Sequence, residues 1–190
     1  MKKIIPAGIL IVLLIISVFV GKWYLNKPNI PELYKVPAFE FENQDGKPFT
    51  NANFANRISV VDFIFTNCPG ICPMMSRKLA SVYEDYSGDD GVQFISFSVD
   101  PARDSLQTLQ AYAKRWGVTD QRWQFIRTEK DAISKLYSEG FKLGGELPYG
   151  HSGSIILVDQ NGVIRGYYNF DDDEAFARME SDLSALEGNL

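Results

Sequence analysis

Apolar residues recur along this chain at two distinct periods, and one stretch carries no polar break long enough to set a period. Residues 4–20 are uncharged and dominated by Ile, Leu and Val, with Lys2 and Lys3 before them and Lys22, Trp23 and Tyr24 after. A run that is apolar on every face suits a bilayer better than a protein core. It is slightly short of the ~20 residues that span a bilayer, and snorkelling by Lys3 and Lys22 makes up the difference. No A-x-A-like site follows it and no Cys that could be lipidated, so residues 1–25 are expected to form an uncleaved membrane anchor. Lys2 and Lys3 favour a cytoplasmic N-terminus, which places the rest of the chain on the periplasmic side of the cell membrane. Residues 26–37 contain Pro28, Pro31 and Pro37 and read as a non-helical linker.

Beyond the linker the periods separate cleanly. Residues 39–42 alternate apolar and polar, Asp45-Gly46 makes a turn, and residues 47–49 return, which together signal a hairpin. Residues 59–65 (SVVDFIF) are β-branched and aromatic with almost no alternation, as expected of a strand covered on both faces. Pro73 suits the first turn of a helix, with Met74, Leu79, Val82, Tyr83 and Tyr86 at helical spacing up to Gly88. A second buried strand spans 91–99 and closes at Asp100-Pro101. Ser105 caps a helix to about Trp116, a short strand covers 123–127, and a second helix spans 130–139 before Gly140. Residues 154–158 and 163–168, joined through Asp159-Gln160-Asn161-Gly162, form another hairpin, and the acidic residues 171–174 open a final helix. The Asp-Pro at 100–101 reads as a structural turn, and the acidic run 171–174 as helix N-terminal charge rather than a calcium site. The order of elements fits an α/β domain over residues 38–190, a central mixed sheet flanked by helices, with the thioredoxin-like arrangement as the best match.

Composition narrows the chemistry. The 190-residue chain has a formal net charge of -5, and no segment concentrates Lys and Arg, so nucleic acid is not an expected partner. Two cysteines and one histidine are the scarcest reactive groups. Any soft-metal, thiol or imidazole site must draw on Cys68, Cys72 and His151.

The segment 66–73 puts both thiols between a buried strand and a helix N-terminus, where unpaired N–H groups and the helix dipole favour thiolate. Thiolate is the form that binds metal or attacks a disulfide, so both functions stay open. A disulfide that merely stapled so short a loop would remove little chain entropy, which favours a functional pair. His151 lies in a glycine-flanked loop before the strand at 154–158. In a thioredoxin-like sheet that loop adjoins the cysteine turn, where oxidoreductases present a cis-proline, and Pro148 is too far upstream to take that place cleanly. Two sulfurs and an imidazole could hold cuprous or cupric copper, or zinc with an open position. Met74 and Met75 are expected in the core or at its rim rather than on a metal. Thr66 is the one feature of a thiol peroxidase, which would also need a positioned Arg.

These residues resemble the Sco/SenC family of copper chaperones linked to cytochrome c oxidase assembly. The likeness covers nearly the whole length: the anchor, FTNCPGICP with its CPxxCP core, Ser98-Val99-Asp100-Pro101 with Asp104, and His151-Ser152 before a strand ending at Val158-Asp159. The resemblance implies that Cys68, Cys72 and His151 are the ligands of one copper ion per chain. It implies delivery to the binuclear copper site of cytochrome c oxidase subunit II, with a copper donor or a thiol reductant as a further partner. The alternative it leaves is a thiol-disulfide oxidoreductase in which Cys68 and Cys72 reduce the cysteines of that site or of another extracytoplasmic partner. The chain departs from the family pattern at Gly150, where an Asp commonly precedes the histidine, and at Gly70, where an acidic residue is frequent.

Overall fold

The computed structural model describes residues 8, 12–18 and 29–190. Most of the expected anchor over residues 1–25 therefore lies outside the described residues. Residues 12–18 are helical, and their apolar side chains are exposed. Among the described residues no helix is long and apolar enough to cross a membrane.

The first hairpin pairs β1 (Glu40–Asn43) with β2 (Pro48–Thr50). Its turn is closed by the Asn43 side chain, which accepts from the N–H groups of Asp45 and Lys47 at 3.0 Å each, and by Gly46 at φ 69°. A 3-10 turn follows at Asn51–Phe54. The central unit is β3 (Ile58–Ile64), α1 (Ile71–Asp85) and β4 (Val92–Ser98). Next come α2 (Leu106–Arg115), capped by Ser105, and β5 (Trp123–Arg127). The helix expected over 130–139 is instead α3 (Lys130–Lys135) running into a π turn at Leu136–Gly140. This wider turn accompanies burial of both Tyr137 and Phe141 against Phe63, at ring-centroid distances of 5.0 and 5.2 Å. The chain ends with β6 (Ser154–Val158), β7 (Ile164–Asn169) and α4 (Asp173–Glu187). Asp172 caps α4 by accepting from Glu174 and Ala175 N–H groups, so the acidic run is helix-start chemistry.

The seven strands form one mixed sheet in the order β2-β1-β5-β4-β3-β6-β7. β3 and β4, parallel neighbours at its centre, are buried at every position, which explains why their sequences do not alternate. Residues 33–36 lie along the far edge, where Val36 N–H donates to Gly162 O at 2.9 Å and Ile164 N–H to Tyr34 O at 2.7 Å.

Two features of this topology build the site. β6 runs antiparallel to β3, with Val61 opposite Ile156. Continuing the same register leads from the end of β3 to the loop that carries His151. The second feature is the start of α1 at Ile71, which puts Pro73 in its first turn as expected. Proline fits there, because the N–H groups of a first turn have no helical partner to lose. Cys72 is consequently a first-turn helix residue, and Cys68 alone occupies the strand-to-helix turn.

Candidate metal centre

Cys68, Cys72 and His151 meet at one point, each offering one donor atom, and these atoms all lie within 4.8 Å of one another. Two sulfurs each about 2.3 Å from a shared ion are at most about 4.6 Å apart, so donors within 4.8 Å need at most a small closure to share one metal. Cys68 is half-buried in its turn, where its N–H donates to Phe65 O at 3.2 Å. Cys72, in the first turn of α1, is fully buried, and His151 is buried with 6 % exposure. Both cysteines are free thiols.

The imidazole is oriented from both ends. Nδ1 lies 3.2 Å from the Ser152 carbonyl, an acceptor only, so Nδ1 carries the proton. Nε2 then turns its lone pair to Cys72 Sγ at 3.2 Å. A backbone carbonyl on the far nitrogen is the usual device for fixing the tautomer of a ligating histidine. The Phe65 ring packs edge-on against the imidazole at 5.6 Å, and Tyr149 packs on Phe65 at the same distance. Tyr137, carried on the π turn, accepts from Ser152 N–H at 2.7 Å and donates to Gly144 O at 2.7 Å, pinning the loop from below.

Burial decides the electrostatics. The low thiol pKa expected of a helix N-terminus does not hold at Cys72: desolvation pushes its thiol well above the ordinary value, and neighbouring Cys68 and Asp62 add to the rise. Burial likewise holds His151 below its ordinary 6.5, partly offset by the Ser152 carbonyl. The metal-free site is therefore a Cys72 S–H facing a neutral imidazole. A soft cation entering it displaces the thiol proton, so binding releases protons and strengthens with rising pH.

Asp104 is a further residue of the site, one that the sequence marks only as part of the Ser98-to-Asp104 run. Its side chain is fully buried and accepts from the Thr66 hydroxyl at 2.6 Å, from Thr66 N–H at 3.2 Å and from Ser98 Oγ at 2.5 Å. It thus grips the residue two before Cys68 from a turn at the end of β4. Asp100 closes that turn, as its carbonyl accepts from Arg103 and Asp104 N–H groups, in keeping with the structural reading of Asp100-Pro101. Met75 is buried in the core, whereas Met74 is exposed at the start of α1. The bond between Leu147 and Pro148 is cis.

Gly150 stands where an acidic side chain was the family expectation. Its N–H donates to Glu146 O at 2.6 Å, and a Cβ there would lie 2.9 Å from the Glu146 backbone N and O. The loop has closed over the space a side chain would need.

The SCO1/SenC family model matches residues 29–184. The SCO1 protein homolog of Bacillus subtilis (strain 168) is 30% identical over 162 residues, which is 82% of this chain and 84% of that protein. A protein of Stutzerimonas stutzeri that bears the name copper-binding protein is 27% identical over 153 residues, 75% of this chain and 74% of that one. Among solved structures, BsSco, a member of the Sco family of cytochrome c oxidase assembly proteins in which a disulfide switch was identified, aligns with a TM-score of 0.74. It is 28% identical, with 83% of this chain and 96% of that chain covered. The family match runs from before β1 into α4 and takes in all three donors, and the chain belongs to the SCO1/SenC family.

Proposed function

We propose that this protein is a copper-binding metallochaperone: Cys68, Cys72 and His151 hold one copper ion, and the ion is delivered to the binuclear copper site of cytochrome c oxidase subunit II. The observation that carries the reading is the convergence of two sulfurs and one imidazole nitrogen within 4.8 Å. Thiolate sulfur favours cuprous copper, imidazole accommodates the cupric ion, and three ligands leave room for an incoming one. The copper-binding name of the Stutzerimonas relative and the oxidase-assembly description of BsSco support cargo and destination respectively. Copper here is cargo, and handover is ligand exchange between thiolates rather than catalysis. Residues 1–25 would anchor the protein in the membrane, 26–37 would link, and 38–190 would form the domain that carries the ion on the periplasmic side. The exposed apolar side chains of residues 12–18 support that arrangement.

A second reading has its own observation. Both thiols are free and adjacent, so the pair could cycle to a disulfide and reduce the cysteines of the oxidase site or of another extracytoplasmic partner. The disulfide switch of BsSco favours it.

Metal titration of the purified chain, read by cupric-thiolate absorption, separates the readings. The His151→Ala variant is expected to lose most of its cupric affinity while its Cys68–Cys72 disulfide remains reducible. Unchanged cupric affinity would sink the three-ligand site. Preferential zinc binding under matched reducing conditions would remove copper as the cargo.

A further inference from the structure

A cleft opens beside the metal centre, lined by Thr66, Asn67, Arg103, Thr108, Tyr112 and Arg115. One wall is the cysteine turn itself: Asn67 precedes Cys68, the more exposed of the two thiols. The opposite wall is α2, where Thr108, Tyr112 and Arg115 fall at the three- and four-residue spacings that share one helix face. Tyr112 is buried, and its hydroxyl is used by Ser76 at 3.0 Å, so it forms the floor. Thr66 and Thr108 form its sides, their hydroxyls engaged by Asp104 and Ser105.

The charge of this cleft runs against that of the chain, whose formal net charge is -5. Two guanidinium groups line it and no exposed carboxylate does. Arg103 is 57% exposed and paired with Asp100 at 2.8 Å, so its charge is partly answered. Arg115 is exposed and takes part in no ion pair among the described residues; its guanidinium lies over the Trp116 ring at 5.4 Å. A desolvating partner that supplied a carboxylate here would gain a bidentate acceptor geometry that arginine matches.

We infer that this cleft docks an acidic segment of the copper-accepting protein, with Arg115 as its principal contact, so that the acceptor's cysteines come to rest beside Cys68. The inference rests on the copper-transfer reading and adds the chemistry by which the acceptor is recognised. In the transfer, two acceptor thiols give up their protons and bind the cuprous ion. Cys68 and Cys72 each take up one proton as their bonds to copper break, and copper keeps its oxidation state.

Two synthetic peptides with the same cysteine pair, one flanked by glutamates and one by lysines, test it against the full chain in neutral detergent. With the cuprous-loaded protein at low salt, the glutamate peptide is expected to withdraw copper about tenfold faster, and this preference should fade at high salt. Arg115→Glu should abolish or invert the preference with the copper content of the protein unchanged, and Arg115→Lys should retain it. Equal rates for the two peptides on the wild-type chain, or a preference that survives Arg115→Glu, would overturn the docking site. If the chain held no copper, the same peptides would be assayed as reductants of the oxidised Cys68–Cys72 pair. There each exchange passes two electrons from peptide dithiol to protein disulfide, leaving a peptide disulfide and a protein dithiol. A glutamate preference in that assay would uphold the cleft while the copper reading fell; no preference would end both.

Discussion

Asp104 and Gly150 both lie outside the donor set, yet each fixes where a donor stands. The Asp104 carboxylate takes up both the hydroxyl and the N–H of Thr66, and so dictates how the chain leaves β3 on its way to Cys68. Asn at this position keeps the shape but has one acceptor oxygen in place of two. Asp104→Asn is expected to weaken copper affinity about 10–100-fold, the usual cost of removing a partner that orients a ligand. Thr66→Val should reproduce part of that loss and Thr66→Ser should restore affinity, because only the serine keeps the hydroxyl. The cupric-thiolate band read beside the melting temperature is the check: a fall in stability with unaltered affinity would reduce Asp104 to a fold residue. Gly150 acts by absence. With the Glu146 backbone 2.9 Å from any Cβ, orientation of the imidazole passes to the Ser152 carbonyl on Nδ1.

At the scale of elements, the sequence made most of the scaffold legible, and the failures have local causes. β5 spans the residues that its β-branched and aromatic run indicates, and β3 and β4 deviate by only a residue at their ends. Continuous apolar runs between clear turns leave little ambiguity. Pro73 falls in the first turn of α1 as its chemistry indicates, and because proline is tolerated through that turn it does not fix the first residue, Ile71. The π turn at Leu136–Gly140 left no periodic signal, since one widened turn changes which residues face the core without changing their types. Cys68 and Cys72 were legible as a pair from local sequence. His151 joined them only through the antiparallel pairing of β6 with β3, a long-range relation invisible to any window of sequence. The raised Cys72 pKa was missed for a related reason: depth of burial overrides the helix terminus, and depth is set by the rest of the fold. The anchor is an element with its own test. Membranes washed with alkaline carbonate should retain the full chain, whereas release into the supernatant would show that residues 1–25 do not span.

For the molecule as a whole, the central sheet contains a charge problem. Asp62 is completely buried on β3; one of its oxygens accepts from Ser96 Oγ at 2.5 Å and the other has no partner among the described residues. Burial raises its carboxyl from 3.8 to about 7. Because the folded value lies above the unfolded one, the contribution of this group is complete below pH 3.8 and is lost as pH rises through 7. The loss is on the order of 4 kcal/mol across that window. Denaturant unfolding from pH 4 to 8 should therefore show a smaller decline for Asp62→Asn than for the wild-type chain, and parallel curves would contradict the assignment. The unequal burial of the two cysteines has a consequence for traffic. Cys72, in the first turn of α1, is buried and Cys68 is half-buried, so Cys68 is the more reachable sulfur. On the copper-transfer reading an acceptor reaches Cys68 first and the bond to Cys72 yields last, which would make departure an ordered, stepwise unhooking rather than a simultaneous release.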